Sequence, residues 1–244
     1  MEDRIVEAVK GELRERLRST SPVEASWDPE PSDAGKIAER LRRLGAYRGA
    51  RCVMVPPTAF YRQTALNILL DGKKLVYASP GMHKGFFGVD PAKIPPAQKA
   101  AAASFRTPNP YARKVAHRSG EKRRLDLIVV PCVAAARDGG RLGDGSGRVD
   151  LQLACLNALG WIHDETIVVG VVSPERIMET IPMKSTDIHL HWILTARSLL
   201  KTTWTEPPRP SIVWDRLDDK AVRRNDVLFF LRGEKNASFS CGVS

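Results

Sequence analysis

Two hydrophobic rhythms alternate along this chain. In one, apolar residues return every three or four positions, as on a helix face; in the other, short apolar runs stop at proline or glycine, as in buried strands. Residues 2–18 follow the first rhythm, with Ile5, Val6, Val9, Leu13 and Leu17 at near-helical spacing. A loop rich in Ser, Pro and Asp over 19–32 leads to Asp33, the expected cap for a helix running through Arg43. Residues 51–55 read as a strand closed by Pro56-Pro57, 61–70 as a helix closed by Asp71-Gly72, and 74–78 as the next strand. The 81–112 segment is irregular, with Phe86, Phe87, Phe105 and several prolines, and 113–124 is basic. Then come a strand at 125–130, a helix at 150–159, a strand at 166–172 and a final strand at 193–195. This alternation predicts an α/β fold with a mainly parallel open sheet and helices on both faces. Ligands of such sheets bind beyond the carboxyl ends of the strands.

The pattern changes after Arg197. Thr205-Glu206-Pro207-Pro208-Arg209-Pro210 has the composition of a stiff linker, and 215–231 is a charged, helix-like stretch. The expected organisation is one domain over 1–197, with a linker and appendage over 198–244 packed on it.

Composition narrows the class. At 43% hydrophobic and 27% charged residues, the chain is expected to fold as a soluble globular protein. No apolar run is long enough to span a bilayer, and the charged first helix lacks the apolar core of a signal peptide, so a cytoplasmic location is expected. Cys52, Cys132, Cys155 and Cys241 are dispersed, which argues against a zinc site and a disulfide framework. A net charge of +10 fits anionic small molecules or nucleic acid; it also fits the arginine-rich, glutamine-poor balance of heat-adapted proteins.

The richest stretch is 125–150. An apolar strand ends at Pro131, a polar turn carries Gly139 and Gly140, and Arg141-Leu142-Gly143-Asp144-Gly145-Ser146-Gly147 leads into a helix. Strand, glycine-rich turn and helix together let backbone N–H groups and a helix N-terminus hold a phosphate. Asp150 suits the positive end of that helix with or without a metal. Lys10 and Arg14, at i and i+4, share one helix face, which fits either solvent or a bound anion.

These residues resemble the 5-formyltetrahydrofolate cyclo-ligase (methenyltetrahydrofolate synthetase) family, in which a strand and polar turn precede R-L-G-x-G-x-G-Y-Y-D. Downstream, Ile181-Pro182 through Asp187 and Trp192-Ile193-Leu194-Thr195 are similar to the family's I-P-x-x-x-x-D segment and last strand. Gly85-Phe86-Phe87, Asp90-Pro91 and Ile212-Val213-Trp214 are similar to its divergent methenyltetrahydrofolate synthetase domain-containing branch. The resemblance implies a Rossmann-like three-layer α/β/α fold of the NagB/RpiA/CoA-transferase-like kind. It also implies an ATP- and Mg²⁺-dependent ligase that converts 5-formyltetrahydrofolate to 5,10-methenyltetrahydrofolate or acts on a related heterocycle. Lys10, Arg14, Arg141, Gly143, Gly145, Ser146 and Gly147 would then hold the nucleotide, Asp150 and Asp187 the metal, and Arg141 and Arg148 would act in catalysis.

The chain also departs from the family pattern. Arg148 and Val149 stand where the family has tyrosines, and Thr58-Ala59-Phe60-Tyr61 replaces a segment whose glutamate helps hold folate. His83 and His117 fall in loops that can face a substrate; Met82 and Phe86 are available to a pterin, or to core or lid packing. His189 and His191 alternate as a weak metal pair. The alternative is a catalytically altered nucleotide-binding or RNA-binding module of the same fold, the RNA reading being raised by Arg113, Arg118 and Arg123.

Overall fold

The unbroken apolar runs become strands covered on both faces, which is why they show no alternation. The computed structural model describes residues 2–19, 28–106, 108–116 and 123–240. His117, Arg118 and Cys241 lie outside the described residues. The helices are α1 (Glu2–Ser19), α2 (Ala34–Arg42), α3 (Gly45–Gly49), α4 (Arg62–Leu70), α5 (Lys99–Ala102), α6 (Arg148–Ala158), α7 (Asp219–Arg223) and α8 (Asp226–Ser240). The strands are β1 (Cys52–Met54), β2 (Lys74–Ala78), β3 (Phe86–Val89), β4 (Ala112–Lys114), β5 (Leu127–Pro131) and β6 (Ala134–Ala136). They continue with β7 (Arg141–Leu142), β8 (Ile167–Val171), β9 (Ile177–Met178), β10 (Trp192–Leu194) and β11 (Leu199–Lys201).

Eight strands form one sheet in the order β11-β10-β8-β5-β1-β2-β3-β4. Its centre, from β10 to β2, is parallel throughout; β3, β4 and β11 add antiparallel edges. The chain leaves β1 for β2 on one side and returns to β5 on the other, so the order reverses between β1 and β5. A crevice opens at such a reversal, beyond the carboxyl ends.

Alternate side chains of each strand feed opposite faces. Leu127 and Val129 of β5 pack with Ile37, Leu41, Ile68 and Leu69 of α2 and α4. Ile128 and Val130 pack with Leu153 and Leu156 of α6 and with Val227 and Leu228 of α8. The result is an α/β/α sandwich. A second, three-stranded sheet, β7-β6-β9, carries its own cluster of Val133, Ala134, Ala136, Leu142 and Ile181, on which Leu13 and Leu17 of α1 rest. No helix among the described residues is long and apolar enough to cross a membrane.

Several local expectations need correction. The glycine loop does not follow the 125–130 strand directly, because the β6–β7 hairpin intervenes and turns through Gly139 and Gly140. The irregular 81–112 segment contains β3 and α5, and the basic stretch begins with β4. The strand at 193–195 is not the last. Thr195 Oγ1 accepts from the N–H groups of Arg197 and Ser198 at 3.0 and 2.8 Å, and this tight turn returns the chain as β11. Asp33 makes no side-chain cap on α2; it ends a Pro31–Asp33 turn and pairs with Lys36. Ile5 and Val9 of α1 are 60% and 37% exposed, so only part of the apolar face of that helix is covered.

Candidate functional site

The β6–β7 hairpin delivers Arg141 to the carboxyl end of β5. Its Nε donates to the Pro131 carbonyl at 3.2 Å, and Nη1 lies 3.2 Å from both carboxylate oxygens of Asp150 in the first turn of α6. Burial works against its charge, yet Asp150 holds the guanidinium pKa above its ordinary value. A Cβ on Gly143 would sit 3.1 Å from both Nη1 and Nη2, so this glycine lets the loop close over the arginine. Arg141 thus braces the loop from below.

Helix α1 reaches the same place from the far end of the sequence. Lys10 Nζ lies 2.5 Å from Asp187 Oδ2 and 3.3 Å from the Arg141 carbonyl, and the residue is only 4% exposed. That burial removes the solvated-face reading. Arg14 Nε donates to the Gly143 carbonyl at 2.9 Å, and its guanidinium covers Gly145. Glu7 accepts from both Arg14 and Lys184. Burial raises its pKa, but those two cations hold it below the usual carboxylate value. Asp187 also accepts from the Lys184 backbone N–H at 2.8 Å, while Ile188 N–H reaches Asp150 at 3.4 Å. Asp150 and Asp187 therefore converge on one segment, each with an internal cation.

In the loop between them, Gly145 and Gly147 take φ of +88° and +67°, a region that favours glycine. The N–H groups of Gly143, Gly145 and Gly147 meet no acceptor among the described residues. Asp144 accepts from the Ser146 N–H and hydroxyl at 2.9 and 2.6 Å, so Ser146 shapes the loop. The Arg148 side chain is exposed at the head of α6.

A cavity of about 330 Å³ opens beyond β1 and β2, lined by Pro57, Tyr77, Ser79, Pro80, Phe87 and Phe105 among others. His83 lines it too, as the loop position suggested. Met82 and Phe86 do not; both point into the core with Val130 and Leu153. Beside this edge, Thr58 Oγ1 donates to Asp28 at 3.3 Å, and the buried Tyr61 hydroxyl has no hydrogen-bond partner among the described residues.

A profile of the 5-formyltetrahydrofolate cyclo-ligase family matches residues 6–196. The chain belongs to that family. It is 29% identical over 217 residues to the methenyltetrahydrofolate synthase domain-containing protein of Bos taurus, covering 85% of this chain and 55% of the relative. The Mus musculus protein of the same name is 28% identical over 84% of this chain and 55% of its own. The chain thus spans about half the length of the curated relatives it matches. Among solved structures, the 5,10-methenyltetrahydrofolate synthetase of Aquifex aeolicus superposes with a TM-score of 0.52 at 17% identity, covering 80% of this chain and 94% of that one. At that identity it supports the fold alone.

Within this cyclo-ligase fold the histidine pair takes structural positions. His191 Nδ1 accepts from the Val168 N–H at 3.0 Å and Nε2 donates to the Glu206 carbonyl at 3.1 Å, while His189 stacks on Trp204 at 3.7 Å. Among the described residues no three His, Cys, Asp or Glu side chains cluster as a metal cage. The basic segment is partly committed as well: Arg113 donates to the Pro110 and Ala112 carbonyls, and Arg124 pairs with Glu165. Sequence reasoning missed the roles of Glu7 and Lys184, which are ordinary surface charges until α1 is docked, and of Asp144, which acts locally through Ser146.

Proposed function

We propose that this chain is an ATP- and Mg²⁺-dependent cyclo-ligase-like enzyme, converting 5-formyltetrahydrofolate to 5,10-methenyltetrahydrofolate or acting on a related heterocycle. The observation that carries the reading is the convergence of Lys10 and Arg14 on the glycine loop, across 131 and 129 residues of chain. Asp150 and Asp187 offer hard oxygen donors without a third acid, which suits a Mg²⁺ completed by water and phosphate oxygens. When bound, MgATP supplies the transferable phosphoryl group and the divalent charge that offsets it.

The chain's own residues bind, brace and orient. The free N–H groups of Gly143, Gly145 and Gly147 donate to phosphate oxygens. Lys10 and Asp187 keep each other in reserve, an ammonium for the phosphates and a carboxylate for the metal. Arg14 and Arg148 add positive charge from either side of the loop, and Arg141 fixes the loop and Asp150 together. The aromatic cavity beyond β1 and β2 holds the heterocycle. Cys52, Cys132 and Cys155 are buried free thiols, which suits a reducing cytoplasm.

The test is growth of the methenyl chromophore from 5-formyltetrahydrofolate. The reading expects growth only with both ATP and Mg²⁺, slowed about 100-fold in Lys10→Met by loss of a preorganised cation. Growth without ATP, or an unaffected Lys10→Met enzyme, would overturn it.

A further inference from the structure

We infer that the cavity beyond β1 and β2 selects a planar aromatic ring bearing a carboxylate, in preference to a neutral ring edged with N–H donors. This rests on the proposal that the carboxyl edge of the sheet is a substrate site, and it favours the related-heterocycle arm of that proposal over 5-formyltetrahydrofolate, whose pterin is a neutral ring edged with N–H donors.

The shape argues for a flat ring. Tyr77 and Phe87 stack with centroids 5.8 Å apart and planes 17° from parallel, and Phe105 meets Tyr77 edge-on at 5.2 Å. Pro57 and Pro80 close the sides. Aromatic faces at this spacing favour a further ring over a flexible chain.

The polar lining argues for the charge. His83, Lys84 and Arg106 line the cavity, and among the described residues no Asp or Glu lines it. Neither Lys84 nor Arg106 makes an ion pair among the described residues. Two of the neutral polar side chains, Asn109 and Ser79, are already engaged, which leaves the Tyr77 hydroxyl beside the cations. Asn109 donates to the Ala102 and Ser104 carbonyls and accepts from the Tyr111 N–H, while Ser79 Oγ accepts from the Lys84 N–H. Free polar capacity at the rim is therefore mostly cationic. A carboxylate is satisfied there, and an N–H edge meets no acid among the described lining residues.

The backbone holds those cations in place. Gly81, Met82 and Gly85 take φ of +59°, +58° and +72°, and Met82 is the non-glycine position at positive φ among the described residues. Such strain persists where the surroundings enforce it, and here the Met82 side chain is anchored in the core. The turn between β2 and β3 thereby sets His83 and Lys84 on the rim.

Calorimetric titration of the full chain with naphthoate and naphthamide tests this, because the two share a ring and differ in charge. The acid is expected to bind about tenfold tighter, the size of one charge-assisted hydrogen bond. The preference should shrink with added salt and vanish in the exposed-site double variant Lys84→Gln/Arg106→Gln. Equal or tighter binding of the amide, or a preference that survives the double variant, overturns the inference. A parallel MgATP titration separates the two claims. Acid preference without MgATP binding overturns the ligase reading, and MgATP binding without acid preference overturns this one.

Discussion

Lys10 and Asp187 form the most consequential contact in the molecule, with side chains 5% and 16% exposed. At that depth an ion pair adds little net stability, but removing one partner strands the other charge. Lys10→Met is therefore expected to lower unfolding free energy by about 3 kcal/mol, and pairing it with Asp187→Asn should recover part of the loss. Urea unfolding of the single and double variants measures both; a single variant as stable as the parent would contradict the buried pairing. None of this was legible locally, because the partners lie 177 positions apart. What the sequence did carry at this scale was the glycine spacing. Positive φ at Gly145 and Gly147 is a backbone demand that only residue type can signal.

At the scale of elements, the β6–β7 hairpin shows where local reading failed. Ala134-Ala135-Ala136 has helical rather than strand propensity, and it becomes a strand because β7 and β9 pair with it on either side. β3 was hidden by Gly88 and β4 by its charges, whereas β2, β5 and β8 were visible as unbroken apolar runs. The hairpin turn is tightly packed. Gly139 has φ +94°, and a Cβ there would lie 2.6 Å from Trp204 Cβ and 2.9 Å from the Leu190 carbonyl. Gly139→Ala should cost about 2–4 kcal/mol by strain and overlap. Gly147→Ala, with φ +67° but open space around its Cβ, should cost only about 1–2 kcal/mol. Equal urea midpoints for the two variants would rule out this packing of Trp204 on the turn.

For the whole molecule, the fold class was the most legible property, since alternating strands and helices restrict topology to an open parallel sheet. The part beyond residue 197 was the least legible, because the roles of β11 and α8 depend on a sheet edge and a core groove built elsewhere. Two histidines that contact it, His189 and His191, also set a pH response. Burial holds His191 below the ordinary imidazole value of 6.5, although its bond to the Glu206 carbonyl opposes this. Burial likewise lowers His189, stacked on Trp204. The unfolded chain therefore takes up protons that the folded one refuses. Stability is complete above about 6.5 and declines as pH falls below it toward the folded values. Urea midpoints taken downward from neutral pH should fall through this window, and His191→Gln should flatten the slope; an unchanged slope would contradict the burial argument.

The nucleotide site built from α1 and the glycine loop is tested most directly by calorimetric titration of the full chain with ATP, with and without Mg²⁺. The expected result is Mg²⁺-dependent binding, weakened about tenfold or more in Lys10→Met. Absence of MgATP binding, or an affinity untouched by that substitution, would contradict it.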